Sequence, residues 1–141
     1  MIEIVPMTAA DIDDVLKVEE SCFNITWTRA DFEREINENA IAIYIVAKVD
    51  GKIAGYAGMW HVVTEGQITN VAVMPEYRQM GIGSLFMEKF IEIAKEREMI
   101  GITLEVKISN YNAQKLYTKY GFKPEGFRKN YYKDTNEYAV I

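Results

Sequence analysis

Val71-Ala72-Val73-Met74-Pro75-Glu76-Tyr77-Arg78-Gln79-Met80-Gly81-Ile82-Gly83-Ser84 is the stretch that decides how this chain folds and what it can hold. An apolar strand ending at Val73 runs through a linker containing Pro75 into a glycine-rich turn, and the turn opens a long helix. Gly81 and Gly83 carry no Cβ, so the backbone at both can take positive φ and approach a ligand closely. The first N–H groups of a helix have no intrahelical acceptor, and the helix dipole places partial positive charge at the same point. Such a turn is suited to phosphate.

Working outward, periodicity and turn chemistry predict the remaining elements. Ile2 to Val5 reads as an opening strand. Thr8 with Asp11 resembles a capping box that starts a helix running to about Glu20. Thr28 with Asp31 repeats it for a helix over about Arg29 to Glu38, which leaves Ser21 to Trp27 as a loop. The alternation of Ile41, Ile43 and Ile45 predicts a strand, which Asp50-Gly51 turns into another over about Lys52 to Val63. Glu65-Gly66 predicts the next turn, before the strand ending at Val73. Ile82, Leu85, Phe86, Phe90, Ile93 and Ala94 recur at helical spacing and predict an apolar stripe packed on the sheet. Ile102 to Val106 reads as a short strand and Asn110 to Tyr120 as a helix closed by a left-handed Gly121, with strands from Phe122 onward. The order is that of an α/β protein with a mixed central sheet flanked by helices.

With 141 residues, 49% of them hydrophobic, the chain fits one domain, 1–141, with a core of its own. No apolar run approaches the roughly 20 residues of a membrane span, and no export signal is visible, so a cytoplasmic protein is expected. The one cysteine, Cys22, fits a reducing compartment, and the sequon Asn24-Ile25-Thr26 is then a chance match. A net charge of −5 argues against nucleic acid as a partner. Residues 1–40 hold ten acids and three bases, net −7, while residues 107–133 hold seven bases and one acid, net +6. Two readings stand: solvated helix faces, or a basic end that steers a polyanionic ligand and an acidic end that favours a cationic one.

Three phosphate-binding families could use the turn. A nucleoside-triphosphate loop needs a lysine after its last glycine, where this chain has Ser84. A dinucleotide fingerprint needs a third glycine, where this chain has Phe86, and a strand directly before the turn. The third pattern, Q/R-x-x-G-x-G/A, is met by Arg78-x-x-Gly81-x-Gly83. That loop resembles the pyrophosphate loop of the GCN5-related N-acetyltransferases (GNAT, acyl-CoA N-acyltransferase fold). The resemblance extends through Thr103-Leu104-Glu105-Val106 and Ser109-Asn110-x-x-Ala113-x-x-Leu116-Tyr117-x-x-Tyr120-Gly121-Phe122. Arg128-Lys129-Asn130-Tyr131-Tyr132 resembles the RimI and archaeal Ard1 branch, which acetylates protein N-termini.

The resemblance implies a splayed sheet in which acetyl-coenzyme A enters where two strands part. Its pyrophosphate would lie on Arg78, Gln79, Met80, Gly81, Ile82, Gly83 and Ser84. Its thioester carbonyl would meet backbone N–H groups of Val71, Ala72 and Val73, in a strand that this family interrupts with a bulge. Arg78 is otherwise an ordinary surface arginine. Asn110 resembles a cofactor-contacting asparagine, and it could also be a helix N-cap.

Acetyl transfer needs an unprotonated amine and a proton for the departing thiolate. Glu105 lies in an otherwise apolar strand; desolvation would make it a useful base, or it simply faces solvent. The resemblance places the RimI-type general base on it. Tyr117 taken alone reads as a core aromatic with its hydroxyl at the edge, and the resemblance makes it the acid that protonates the thiolate. Phe23 and Trp27 in the first interhelix loop, with Tyr131 and Tyr132 near the end, would shape the peptide site or form a satellite core. Two departures bear on that half: Thr26 replaces the family proline, and Asn136-Glu137-Tyr138-Ala139 replaces Gly-Glu-Asp-Ala. His61 and Cys22 match no nucleophile arrangement, and no zinc-type spacing is present, so no metal is expected.

The expected activity is acetyl transfer to a protein N-terminal α-amine by direct attack, with a ribosomal protein beginning in alanine as the RimI type of substrate. A monomer or weak dimer is expected. Two rivals remain open: acetylation of a small amine such as a polyamine, amino acid or antibiotic, and a coenzyme A-binding regulatory module. Glu105 and Tyr117 together argue against the latter.

Overall fold

Alternating side chains build the sheet, and two single-residue insertions decide which face each of them reaches. The computed structural model describes residues 1–22, 26–104, 106–107, 111–122, 127–132 and 137–140. Strands β1 (Ile2–Pro6), β2 (Ala42–Val49), β3 (Lys52–Val62), β4 (Glu65–Val73) and β5 (Gly101–Thr103) form a five-stranded sheet in that order. The first four are antiparallel, and β5 runs parallel to β4. A second sheet has the order β6 (Val106–Lys107), β8 (Glu137–Val140), β7 (Phe127–Tyr132). Helices α1 (Ile12–Cys22), α2 (Arg29–Asn37), α3 (Ile82–Glu96) and α4 (Tyr111–Lys119) complete the layers. This is the mixed sheet with flanking helices that the sequence predicts.

Each face of the first sheet carries its own core. Ile45, Ala57, Met59, Ile68, Ile82, Phe86 and Phe90 fill the α3 side. Val15, Val18, Phe32, Tyr44, Val46, Tyr56 and Ala72 fill the α1 and α2 side. Burying one such side chain contributes roughly 1.5–3 kcal/mol, so Phe86 and Phe90, both fully buried, hold α3 firmly against the sheet. Of the apolar stripe expected on α3, Ile82, Phe86, Phe90 and Ile93 pack on the sheet and Ala94 is buried, whereas Leu85 joins neither core and Met87, outside the expected stripe, is buried in it.

Several boundaries differ from the sequence expectation. The Thr8–Asp11 pair caps a short 3₁₀ turn, Ala9–Asp11, that precedes α1, with the Thr8 N–H donating to Asp11 Oδ2 at 2.9 Å. Helix α1 then runs on to Cys22 and takes in Ser21 and Cys22, which read as loop. At α2 the capping box is complete: Asp31 N–H donates to Thr28 Oγ1 at 3.3 Å, and Thr28 N–H to Asp31 Oδ2 at 2.8 Å. The turn expected at Glu65-Gly66 lies instead at Val63-Thr64, where Val63 takes φ +56°. Gly66 belongs to β4, and its missing Cβ makes room for Met59, whose Sδ would stand 2.7 Å from it.

The stretch Ile102 to Val106 is not one strand. Its start, β5, pairs with β4, whereas β6 pairs with β8 in the other sheet. Among the described residues no helix is long and apolar enough to cross a membrane.

Candidate active site

Strands β4 and β5 pair over three positions only, Glu65 with Gly101, Gly66 with Ile102 and Gln67 with Thr103. Beyond Gln67 the edge of β4 has no strand partner among the described residues. The pairing of β3 with β4 changes register there: Gly58 faces Asn70 and Met59 faces Ile68, so Thr69 is an extra residue, a β-bulge. One inserted residue reverses which face the following side chains reach. Ile68 accordingly packs on the α3 side, while Ala72, four positions on, packs on the α1 and α2 side.

The bulge also fixes where the backbone donors of β4 point. Met74 N–H donates to Ala54 O of β3 at 2.8 Å. Strand donors alternate sides, so the N–H groups of Val71 and Val73 face away from β3, into the gap where the sheet opens. They are two parallel donors on an edge with no strand partner among the described residues, suited to an oxygen that gains negative charge. Ala72, expected to join them, turns its side chain into the buried core and its N–H toward β3.

The glycine-rich turn lies just beyond. Pro75–Tyr77 forms a 3₁₀ turn, Gln79 takes φ +66°, and Gly81 is the left-handed N-cap of α3 with φ +83°. The first α-helical bond of α3 runs from Leu85 N–H to Gly81 O, 3.0 Å, so Ile82, Gly83 and Ser84 present N–H groups with no partner one turn back. No side chain caps this end of the 15-residue helix. Dipole and free donors together favour an anion. Ile82 contributes only its backbone, because its side chain is core, and Met80 is exposed.

One expectation for this turn needs correction. Gly83 does not take positive φ; only Gly81 does. Gly83 lies in the first turn of α3, where a Cβ would stand 2.9 Å from Leu116 Cδ2, so its absence lets α4 dock on α3. The Arg78 side chain folds back on β4, with Nε donating to Val73 O at 3.0 Å and Nη2 3.6 Å from Cys22 Sγ.

Tyr117 is placed by the end of its helix. Phe122 N–H donates to Tyr117 O at 3.0 Å and Gly121 N–H to Thr118 O at 3.0 Å, with Gly121 at φ +92°. That is a Schellman motif, and its usual apolar contact is made by the Tyr117 and Phe122 rings, 5.9 Å apart and edge-on. Burial pushes the Tyr117 hydroxyl up to about 12, which keeps it a proton donor at any working pH.

Trp27 is half-buried in the α1 and α2 core, 5.2 Å from the Phe32 ring and 6.3 Å from that of Tyr44. Tyr131 and Tyr132 lie on β7. Glu105, Asn110 and Phe23 fall outside the described residues. His61, half-buried near the end of β3, has its Nδ1 3.5 Å from Arg97 Nη1.

Sequence reasoning missed a buried polar group beside this site. Glu19 is 2% exposed. It accepts hydrogen bonds from Tyr56 Oη, 2.5 Å, and from Trp27 N–H, 2.8 Å. The signal was present: Glu19 continues the Ile12–Val15 stripe at helical spacing, a carboxylate where the pattern calls for an apolar residue.

The family model described as the acetyltransferase (GNAT) family matches residues 12–122. A Bacillus subtilis (strain 168) protein proposed to be a ribosomal protein bS18-alanine N-acetyltransferase is 44% identical over 135 residues, which cover 96% of this chain and 89% of that protein. The crystal structure of the ribosomal-protein-S18-alanine N-acetyltransferase from Escherichia coli superposes with a TM-score of 0.90 at 27% identity, covering 99% of this chain and 90% of its own. That of Ard1 from Thermoplasma volcanium gives 0.86 at 29%, covering 99% and 94%. The fold is thus shared with these proteins along almost the whole chain, and the chain belongs to the acetyltransferase (GNAT) family.

Proposed function

We propose that this protein transfers the acetyl group of acetyl-coenzyme A to the α-amine at a protein N-terminus, by direct attack of the amine on the thioester. The observation that supports this most is the pair of Val71 and Val73 N–H groups, without a strand partner among the described residues, followed along the chain by the uncapped N-terminus of α3. Their order along the chain suits a donor with a carbonyl at one end and a pyrophosphate further along. Bound there, acetyl-coenzyme A supplies an acyl group activated by a thiol leaving group.

The chain's own residues would divide the remaining work. The N–H groups of Val71 and Val73 hold the carbonyl oxygen where charge develops. The N–H groups of Ile82, Gly83 and Ser84 hold pyrophosphate oxygens, with Gly81 setting the turn and Asn110 contacting the cofactor. Arg78, Gln79 and Met80 frame the loop. Glu105 accepts the amine proton through water, and Tyr117 gives a proton to the departing sulfur. An α-amine has a pKa near 8, against about 10.4 for lysine, so a modest base suffices for an N-terminal substrate.

The acceptor is assigned from the relatives that act on the alanine of ribosomal protein bS18: a ribosomal protein N-terminus beginning with alanine. Phe23, Trp27, Tyr131 and Tyr132 would line its path. The acidic first 40 residues, net −7, suit a cationic peptide. The enzyme would act in the cytoplasm as a monomer or weak dimer, on protein rather than nucleic acid.

A thiol-release assay with acetyl-coenzyme A tests the reading against N-terminal peptides, including a ribosomal one beginning with alanine, lysine-only peptides and small amines. Preference for the alanine peptide is expected. Preference for a polyamine, amino acid or antibiotic would overturn it.

A further inference from the structure

A carboxylate buried without a cation is costly, and Glu19 has no ion pair among the described residues. Its hydrogen bonds open a chain that crosses three elements. From the last turns of α1, Glu19 Oε2 accepts the N–H of Trp27, the residue that brings the interhelix loop to α2, at 2.8 Å. Glu19 Oε1 accepts the Tyr56 hydroxyl of β3 at 2.5 Å, and Tyr56 Oη in turn accepts Asn70 Nδ2 of β4 at 3.4 Å. Asn70 Oδ1 accepts the Tyr44 hydroxyl of β2 at 3.2 Å. Burial, and then the Glu19 carboxylate, push the Tyr56 hydroxyl well above its ordinary range, so it remains a donor.

The far end of this chain is the bulge. Asn70 follows Thr69, the inserted residue, and precedes Val71, the first of the two donors facing the gap. The sheet makes room for the connection at Gly58, paired with Asn70: a Cβ there would stand 2.4 Å from Tyr44 Cε1 and 3.0 Å from Thr69 Oγ1. The near end is the loop that carries Trp27, whose ring leans on Tyr44 and Phe32. One largely buried polar chain therefore ties Trp27, just before α2, to the bulged strand β4.

We propose that Glu19, acting through Tyr56 and Asn70, is a positioning residue that sets Trp27 in register with the donors of Val71 and Val73. The inference rests on the acyl-transfer reading above. Glu19 touches neither reactant; it fixes the distance between the two halves of the site. Misplacement of reacting groups by about 1 Å can cost 10²-fold in rate, so loss of the tie is expected to show in turnover before it shows in donor binding.

Glu19→Gln keeps the volume but sets an amide NH₂ against one of two donors. Tyr56→Phe removes the middle link. Each variant is checked for folding by thermal melting, then for coenzyme A affinity by calorimetry and for kcat and KM with the best peptide of the panel. Expected for either single variant is a fall in kcat of about tenfold or more with coenzyme A affinity kept within about twofold, and a double variant no worse than the worse single. A folded Glu19→Gln with wild-type kcat, additive losses in the double variant, or an equal loss of coenzyme A affinity would overturn the proposal. If Glu19→Gln does not fold, Tyr56→Phe, which deletes one oxygen, decides by the same two constants. Failure of the wild-type enzyme on every amine would instead refute the acyl-transfer reading itself.

Discussion

Replacing Gly81 with alanine tests whether the left-handed turn is what aims the first N–H groups of α3. Gly81 holds φ +83° and ψ +12°, and a Cβ there would meet nothing within 4 Å. The added methyl therefore has space, and the cost is torsional, about 1–2 kcal/mol for an L-residue in this region. The smaller entropy of the unfolded alanine chain offsets roughly 0.4–1 kcal/mol of it. The remainder can surface in two ways. If the turn keeps its shape, stability falls and coenzyme A affinity does not. If the turn relaxes to negative φ, the donors of Ile82 and Gly83 swing away and affinity falls, by up to about tenfold for 1.4 kcal/mol. Denaturant unfolding and calorimetric titration with coenzyme A measure both quantities. Gly51→Ala is the control, because Gly51 also has φ +83° and open space but lies in the β2–β3 turn. It should lose stability alone. The reasoning is refuted if Gly81→Ala changes neither quantity, or if Gly51→Ala weakens coenzyme A binding as much.

Gly83→Val places a branched side chain against Leu116, and overpacking of roughly 1–3 kcal/mol should weaken coenzyme A binding about tenfold or more; unchanged affinity in a folded variant would remove the turn from the site. NAD should not bind in a parallel titration. Tyr117→Phe should lower single-turnover rate more than it raises the KM for acetyl-coenzyme A, since the hydroxyl is needed chiefly as thiolate forms. The protonated phenol is the active form, and a value raised to about 12 extends its range upward; a descending limb below about pH 10 that disappears in Tyr117→Phe would contradict this. Glu105→Gln should cost about 10²-fold at neutral pH, with the deficit shrinking above pH 8 or so for an α-amine substrate. Wild-type activity across that range would make Glu105 a bystander.

Local chemistry was legible in the chain itself. The cap at Thr28 and Asp31, the stripe of α3, the left-handed Gly121 and the turn at Gly81 each depend on residues within a few positions of one another, and the side chain present dictates the torsion or the bond. Tyr117 with Tyr120-Gly121-Phe122 has the same character, because a Schellman end fixes Tyr117 through residues four and five positions away. What tertiary structure alone decided involves atoms brought together from distant positions. Gly66 reads as a turn until Met59 is placed beside it, and Gly83 reads as a torsional glycine until Leu116 lies over it. The bulge at Thr69 is a mismatch between two strands, and no single residue type announces it. The division of Ile102 to Val106 between two sheets, which opens the gap beside β4, depends on which neighbour each half finds. Glu19 is the same case in polar form: a carboxylate on an apolar stripe is tolerable only because Tyr56, 37 positions away, brings its hydroxyl to it, and only folding supplies that partner.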